Sequence, residues 1–215
     1  MARDINPQCK RCRRMGAKLF LKGDRCNTSK CAMVKRNYIP GMHGQKAGKG
    51  SRMTGYGLQL REKQKAKATY GILERQMRRY YDTAIRTKGD TSAILFKILE
   101  SRFDNVVFRA GFAVNRKLAR QLVNHKHFLV NGKRVNIPSY SIQMNDKISI
   151  DKNSAQKAPF KDLSEKLKAP LGRGETTDWL NVDPHELTIV KIGEPNIQKT
   201  APNYDIKQII EFYSR

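Results

Sequence analysis

The fold is decided by residues 101–150, which read SRFDNVVFRAGFAVNRKLARQLVNHKHFLVNGKRVNIPSYSIQMNDKISI. Apolar residues at three- and four-residue spacing predict a helix over Arg102–Ala110, and Gly111 ends it. Asn115 can cap a second helix, because its side-chain oxygen can accept a hydrogen bond from a free amide of the first turn. The segment therefore begins as a pair of short helices.

Short β-strands are predicted to follow this helix pair. Asn131-Gly132 is the pair best suited to a two-residue hairpin turn, because both residues tolerate positive φ. The mixture of short helices and β-rich runs predicts an α+β fold, with strands over Phe128–Val130, Arg134–Ile137 and Lys147–Ile150.

The outward face of the second helix and the tip of the hairpin are basic. Cations on a helix and a hairpin suit an A-form RNA backbone, which is recognised by shape and phosphates more than by base edges. The candidate RNA-binding residues in this segment are Arg116, Lys117, Arg120, His125, Lys126, Asn131 and Lys133.

Three stretches of this segment closely resemble the RNA-binding module named after ribosomal protein S4: RFDNVVFRAGFA, NRKLARQLVNHKHFLVNGKRVNIPSY and NDKISI. The module also occurs in pseudouridine synthases, some tRNA synthetases and a heat-shock ribosome factor. Alone, the resemblance therefore implies only that the chain binds structured RNA.

The flanking sequence resembles the bacterial S4 family of small-subunit ribosomal proteins, over nearly the whole chain. This resemblance implies a primary rRNA-binding protein that nucleates assembly by holding a multi-helix rRNA junction. It also implies contacts with ribosomal protein S5 and with mRNA where it enters the subunit, and a contribution to translational accuracy. The stretches that carry it are PGMHG (40–44), YGLQLREKQKAKATYGILERQMRRYY (56–81), TTDWLNVD (176–183) and IIEFYSR (209–215).

Composition agrees with a nucleic-acid partner. The 215 residues include 43 Lys and Arg against 19 Asp and Glu, a formal net charge of +24. The excess lies before residue 151, because residues 151–215 carry 10 basic and 10 acidic side chains. So many cations repel each other unless an anionic partner compensates them. No run of about 20 apolar residues or secretory signal is present, so we expect a cytoplasmic protein without membrane contact.

All four cysteines lie in the first 31 residues, at Cys9, Cys12, Cys26 and Cys31. Two close pairs joined by a longer spacer can bring four thiolates to one tetrahedral ion, so we expect one structural zinc in a knuckle. Two disulfides or free thiols are the alternatives, and a reducing compartment argues against disulfides. Within the S4 family, the chain resembles the zinc-carrying members.

The rest of the N-terminal half is predicted to be a glycine-rich loop over residues 1–57, followed by helices. Helix formers dominate Leu58–Lys67, and apolar spacing predicts an amphipathic helix over residues 73–85. Thr91 or Ser92 can cap a third helix. Further candidate RNA-binding residues in this half are Arg11, Arg13, Arg14, Lys35, Arg36, His43, Arg61, Lys63, Arg75, Arg78 and Arg79.

The C-terminal part is predicted to be less regular. Residues 151–176 are polar and predict a mobile excursion with one helical turn or more. Trp179–Val182 and Leu187–Ile192 predict a strand pair, and Ile206–Tyr213 predicts a closing helix.

We therefore predict two domains. Residues 1–91 form a zinc knuckle with a helical domain, and the closing helix, 204–214, is a candidate to pack on it. Residues 92–200 form the second domain, which contains the RNA-binding module and a small β extension.

Two other functions are open to a chain of this composition. An enzyme of the pseudouridine synthase or synthetase class needs a separate catalytic domain. No unassigned stretch of this sequence is long enough to form one. The sequence also lacks a phosphate-loop pattern or a paired nucleophile and base, so no catalytic residue is predicted. A zinc-dependent DNA-binding regulator is disfavoured because the cysteine spacing differs from that of reader fingers.

Overall fold

The structure is a computed structural model that describes residues 6–44, 53–161, 163–168 and 178–215. Its elements, in chain order, are α1 (Gln8–Met15), α2 (Ala32–Lys35), α3 (Gly55–Tyr70), α4 (Glu74–Arg86), α5 (Thr91–Glu100), α6 (Phe103–Arg109), α7 (Arg116–Asn124), β1 (Phe128–Val130), β2 (Lys133–Arg134), β3 (Lys147–Ile150), α8 (Lys152–Ala155), α9 (Ala158–Lys161), α10 (Leu163–Lys168), β4 (Leu180–Asp183), β5 (Thr188–Lys191), α11 (Ile197–Thr200) and α12 (Ile206–Tyr213).

The chain divides into two compact units. The fold as a whole contains both helices and a sheet. The first unit contains residues 1–95 and 202–215, and the second contains residues 96–201. Within the described ranges, no helix is both long enough and apolar enough to cross a membrane.

The first unit is closed by α12, the last helix of the chain, which packs along α3. Ile206 and Ile209 are its buried residues. Polar contacts complete the packing: the hydroxyls of Tyr70 and Tyr204 lie 2.8 Å apart, and Gln59 Nε2 donates to Glu211 at 2.9 Å. Residues far apart in the chain therefore share one core.

The carboxylate of Glu74 links α4 to both α3 and α12. It accepts hydrogen bonds from the ammonium groups of Lys63 and Lys67, at 2.8 and 2.6 Å, and from the Tyr213 hydroxyl at 2.6 Å. Lys63 Nζ also lies 4.0 Å from the centroid of the Phe212 ring. Burial alone would raise the pKa of Glu74, but the three hydrogen bonds outweigh this effect and lower the pKa to about 2. The charged carboxylate thus stabilises the packing of three helices.

The prediction of a loop over residues 1–57 is wrong for α1. The glycines that break helices are concentrated after residue 40, whereas Gln8–Met15 contains none. The helix ends at Gly16, whose φ of 64° provides the left-handed cap that glycine adopts without strain. Cys12 and Leu19 are buried there with Ala68 in a small apolar cluster.

The start of α5 also differs from the prediction. Asp90, rather than Thr91 or Ser92, provides the cap, because its carboxylate accepts from the backbone amides of Ser92 and Ala93 at 3.0 and 3.3 Å. A carboxylate at this position also interacts favourably with the helix dipole.

The second unit contains a five-stranded antiparallel sheet in the order β2-β1-β3-β5-β4. Its core is formed with α6 and α7 and includes Phe103, Val107, Phe128 and Ile189, all of them fully buried. The predicted hairpin turn is confirmed, since Asn131 and Gly132 have φ values of 49° and 78°. The second strand is shorter than predicted, because β2 ends at Arg134.

The predicted excursion at 151–176 is helical where the structure describes it. Helices α8, α9 and α10 occupy its first part, and Phe160 and Leu163 are buried in the core of the second unit. Leu167 packs against the same core. Residues 162 and 169–176 of the predicted excursion lie outside the described residues.

We predict that Glu74→Gln lowers the free energy of unfolding by about 1 kcal/mol at pH 7, because the amide loses the charge that pairs with Lys63 and Lys67. The folded-state pKa is depressed, so this stabilisation is present above about pH 4.5 and disappears as the pH falls towards about 2. Urea unfolding followed by circular dichroism at pH 7 and pH 3 measures both effects. Asp82→Asn, an exposed position on the same helix, is the control. Equal losses in the two variants would contradict the prediction.

Candidate nucleic-acid interface

Helix α7 presents one apolar face and one basic face. Ala119, Leu122 and Val123 are buried, which turns Lys117 and Gln121 outward. The predicted cap is confirmed, because Asn115 Oδ1 accepts from the amide of Leu118 at 2.9 Å. The basic face also carries Arg116 and Arg120, both half-buried.

Arg116 is held by two groups of α6. Its Nε donates to Asn105 Oδ1 at 2.7 Å, and its guanidinium lies 4.3 Å from the centroid of the Phe108 ring. The hydrogen bond and the cation–π contact together restrict the guanidinium to one orientation.

Arg120 lies one helical turn further along α7, beside Asp104. Its Nη1 is 3.8 Å from Asp104 Oδ2, and its side chain is 15% exposed. The same carboxylate accepts from the buried Arg102 at 2.7 Å. One carboxylate therefore faces two guanidinium groups.

The end of α7 and the hairpin tip carry four further predicted residues, which are exposed: His125, Lys126, Asn131 and Lys133. The Asn131 side chain also makes hydrogen bonds within the protein. Its Nδ2 donates to Asp146 at 2.8 Å, and its Oδ1 accepts from the amide of Lys147 at 3.0 Å. These bonds tie the hairpin to β3. The seven residues predicted within the second unit therefore lie on α7, directly after it, in the β1–β2 turn and at the start of β2.

In the first unit, α4 has the same division into two faces. Met77, Tyr81 and Ala84 are buried. Its outward arginines, Arg75, Arg78 and Arg79, are exposed, and the four predicted residues Arg14, Lys35, Arg36 and His43 are exposed as well.

The other four predicted cations of this unit are half-buried or buried. Arg13 donates to the carbonyl of Tyr38 at 2.9 Å and stacks over its ring. Arg61 donates to the Met15 carbonyl at the end of α1, and Arg11 is half-buried. Lys63 is only 5% exposed.

Lys63 is the predicted RNA-binding residue that the structure favours least. Its ammonium is buried between Glu74 and Phe212, where internal contacts occupy it. The charge pattern of α3 could not show this, because the partners are on other helices. We leave Lys63 out of the interface.

The four cysteines are spread over neighbouring elements at the N terminus. Cys9 and Cys12 lie on α1, Cys26 lies in a 3-10 helix over Gly23–Asn27, and Cys31 precedes α2, which packs on α1. All four are free thiols, and Cys12 and Cys31 are buried. Burial raises the pKa of Cys12, and the charges of the other three thiols raise it further.

This donor set suits zinc in type and number. However, the residues that the structure describes contain no group of three or more His, Cys, Asp or Glu placed to hold a metal ion. Zinc binding therefore stays a prediction.

The sequence reasoning missed Asn105 and Phe108, which hold Arg116. Phe108 carries no signal beyond the apolar pattern of α6. Asn105 is a polar residue inside a short apolar helix, which indicates a buried hydrogen bond but does not identify its partner.

Comparison with known proteins identifies the family. Residues 3–100 match the family described as Ribosomal protein S4/S9 N-terminal domain, and residues 101–148 match the S4 domain. The chain is 48% identical to the small ribosomal subunit protein uS4 of Thermotoga petrophila over 216 residues, covering 100% of both chains. The chain belongs to the ribosomal protein S4 family. It is also 48% identical to uS4 of Thermotoga maritima and 46% identical to uS4A of Alkaliphilus oremlandii, again over full length.

Membership of the S4 family confirms the predicted family and the prediction that the chain is not an enzyme, because this family is structural. It makes the chain a ribosomal structural constituent. The S4 domain match spans α6, α7, β1, β2 and the start of β3, so the basic face of α7 lies within it.

Proposed function

We propose that this chain binds small-subunit rRNA directly and holds a junction of several rRNA helices early in assembly. The observation that supports this most strongly is the full-length similarity to small-subunit uS4 proteins. The basic faces of α4 and α7 are the surfaces that would contact the RNA.

The physical basis is charge placed on rigid elements. A net charge of +24 favours binding to any polyanion, and each neutralised phosphate releases about one counterion. Preference for one RNA fold needs cations at fixed positions, because RNA helices are recognised by shape and by backbone contacts. Arg116 and Arg120 meet this requirement, because α6 side chains restrict both.

The finer role follows from the resemblance to the family. We propose that the chain borders mRNA where it enters the subunit, contacts ribosomal protein S5 and contributes to translational accuracy, in cytoplasmic ribosomes. These contacts are properties that the S4 resemblance implies.

We predict that the triple variant Arg116→Ala, Lys117→Ala and Arg120→Ala loses its preference for small-subunit rRNA over duplex DNA of equal length. Filter binding across a salt series measures this. The plot of log affinity against log salt has a negative slope. We expect that slope to become less steep by up to about three, one for each lost phosphate contact.

The control removes the same charge elsewhere in the second unit. Lys152, Lys157 and Lys161 are exposed on α8, α9 and the turn between them, so their triple alanine variant is expected to keep the preference for rRNA. Circular dichroism checks that both variants fold. If the two triple variants bind alike, only non-specific polyanion binding remains.

We also propose that Cys9, Cys12, Cys26 and Cys31 bind one structural zinc ion. The support is the four cysteines on α1, on the 3-10 helix and directly before α2, a donor set that suits zinc in type and number. A bound zinc would add to the stability that the small apolar cluster around Cys12 gives the N-terminal knuckle.

Metal analysis of protein purified under reducing conditions tests this proposal. We predict about one zinc per chain, and loss of that zinc in Cys12→Ser. Ser29→Ala, an exposed position between Cys26 and Cys31, is expected to keep the metal. Wild-type protein that contains no zinc and has four thiols reactive with a thiol reagent would overturn the proposal.

A further inference from the structure

We propose that Asn105 is a positioning residue for RNA binding: its buried amide aims the guanidinium of Arg116 at the RNA backbone. The inference rests on the proposed function and deepens it, because it assigns part of the affinity to a residue that RNA cannot touch.

Asn105 is completely buried, and its amide has only one favourable orientation. Nδ2 donates to the Glu100 carbonyl at 2.8 Å and to Glu100 Oε2 at 2.9 Å. Both of these atoms are acceptors, so a flipped amide would place its oxygen against two other oxygens. Oδ1 must therefore point the other way, where it accepts from Arg116.

Glu100 is itself fixed. It is fully buried and accepts from Arg109 Nε at 2.8 Å and Nη2 at 3.0 Å. Two parallel bonds between a guanidinium and a carboxylate specify the geometry of both groups. A continuous chain of hydrogen bonds thus runs from Arg109 through Glu100 and Asn105 to Arg116.

The last bond of this chain leaves the core and reaches the basic face of α7. There the Phe108 ring supports the guanidinium plane at 4.3 Å. A guanidinium is a planar fork of donors, so fixing its Nε and its plane determines the direction of the whole group. An arginine that is ordered before binding loses less side-chain entropy when it contacts a phosphate.

The test is a double-mutant cycle in the full-length protein. Asn105→Ala, Arg116→Ala and the double variant are titrated with a transcript of bacterial small-subunit rRNA. We expect each single variant to bind about tenfold more weakly, because charge-assisted contacts have this size. The double variant is expected to bind no more weakly than Arg116→Ala alone, because Asn105 acts through Arg116.

A structural control separates positioning from general loosening of the fold. Val107→Ala removes buried volume from the same helix without touching Arg116, and it is expected to keep wild-type affinity. If Asn105→Ala does not fold, Phe108→Leu takes its place in the cycle with Arg116→Ala. Leucine keeps an apolar side chain at this position but removes the aromatic ring. It too is expected to weaken binding only while Arg116 is present.

Three results would overturn the inference. The first is wild-type affinity in the folded Asn105→Ala or Phe108→Leu variant, and the second is a double variant whose loss equals the product of the single losses. Wild-type affinity in Arg116→Ala would also overturn it. The proposed function is tested independently of these variants, by the wild-type protein's preference for rRNA over duplex DNA.

Discussion

Glu100 has no contact with solvent and is bonded to Arg109 and Asn105 in the second unit. Such buried carboxylates are the constraint on which the rest of the structure depends, because a chain with 43 basic and 19 acidic side chains repels itself when it folds. A cation removed from water without a partner is strongly destabilising. The fold therefore places a carboxylate where cations must be buried: Glu74 beside Lys63, and Asp104 beside Arg102.

Other cations lie on the outer faces of α4 and α7. The arginines of α4 are exposed, whereas Arg116 and Arg120 of α7 are held by Asn105, Phe108 and Asp104. Exposed cations increase affinity for any polyanion, and cations in fixed positions discriminate between backbone shapes. The two helices can therefore make different contributions to RNA binding: general attraction from α4, and selection of a particular RNA fold from α7.

The sequence predicted the elements that depend on local chemistry. Asn115 at the start of α7 and Asn131-Gly132 at the hairpin were recognisable because each residue's conformational preference is sufficient for its role. The sequence could not show which cations are internal, because their partners come from distant parts of the chain. Lys63 is an example: the Tyr213 hydroxyl and the Phe212 ring that complete its site with Glu74 belong to the last helix. The zinc ligands and the individual RNA contacts are still predictions.

The most direct test of the account is a cryo-EM structure of the small ribosomal subunit that contains this chain. We expect the Arg116 guanidinium to lie about 3 Å from an rRNA phosphate oxygen while its Nε remains bonded to Asn105. A structure in which the basic face of α7 contacts solvent or another protein, with the rRNA elsewhere, would contradict the account.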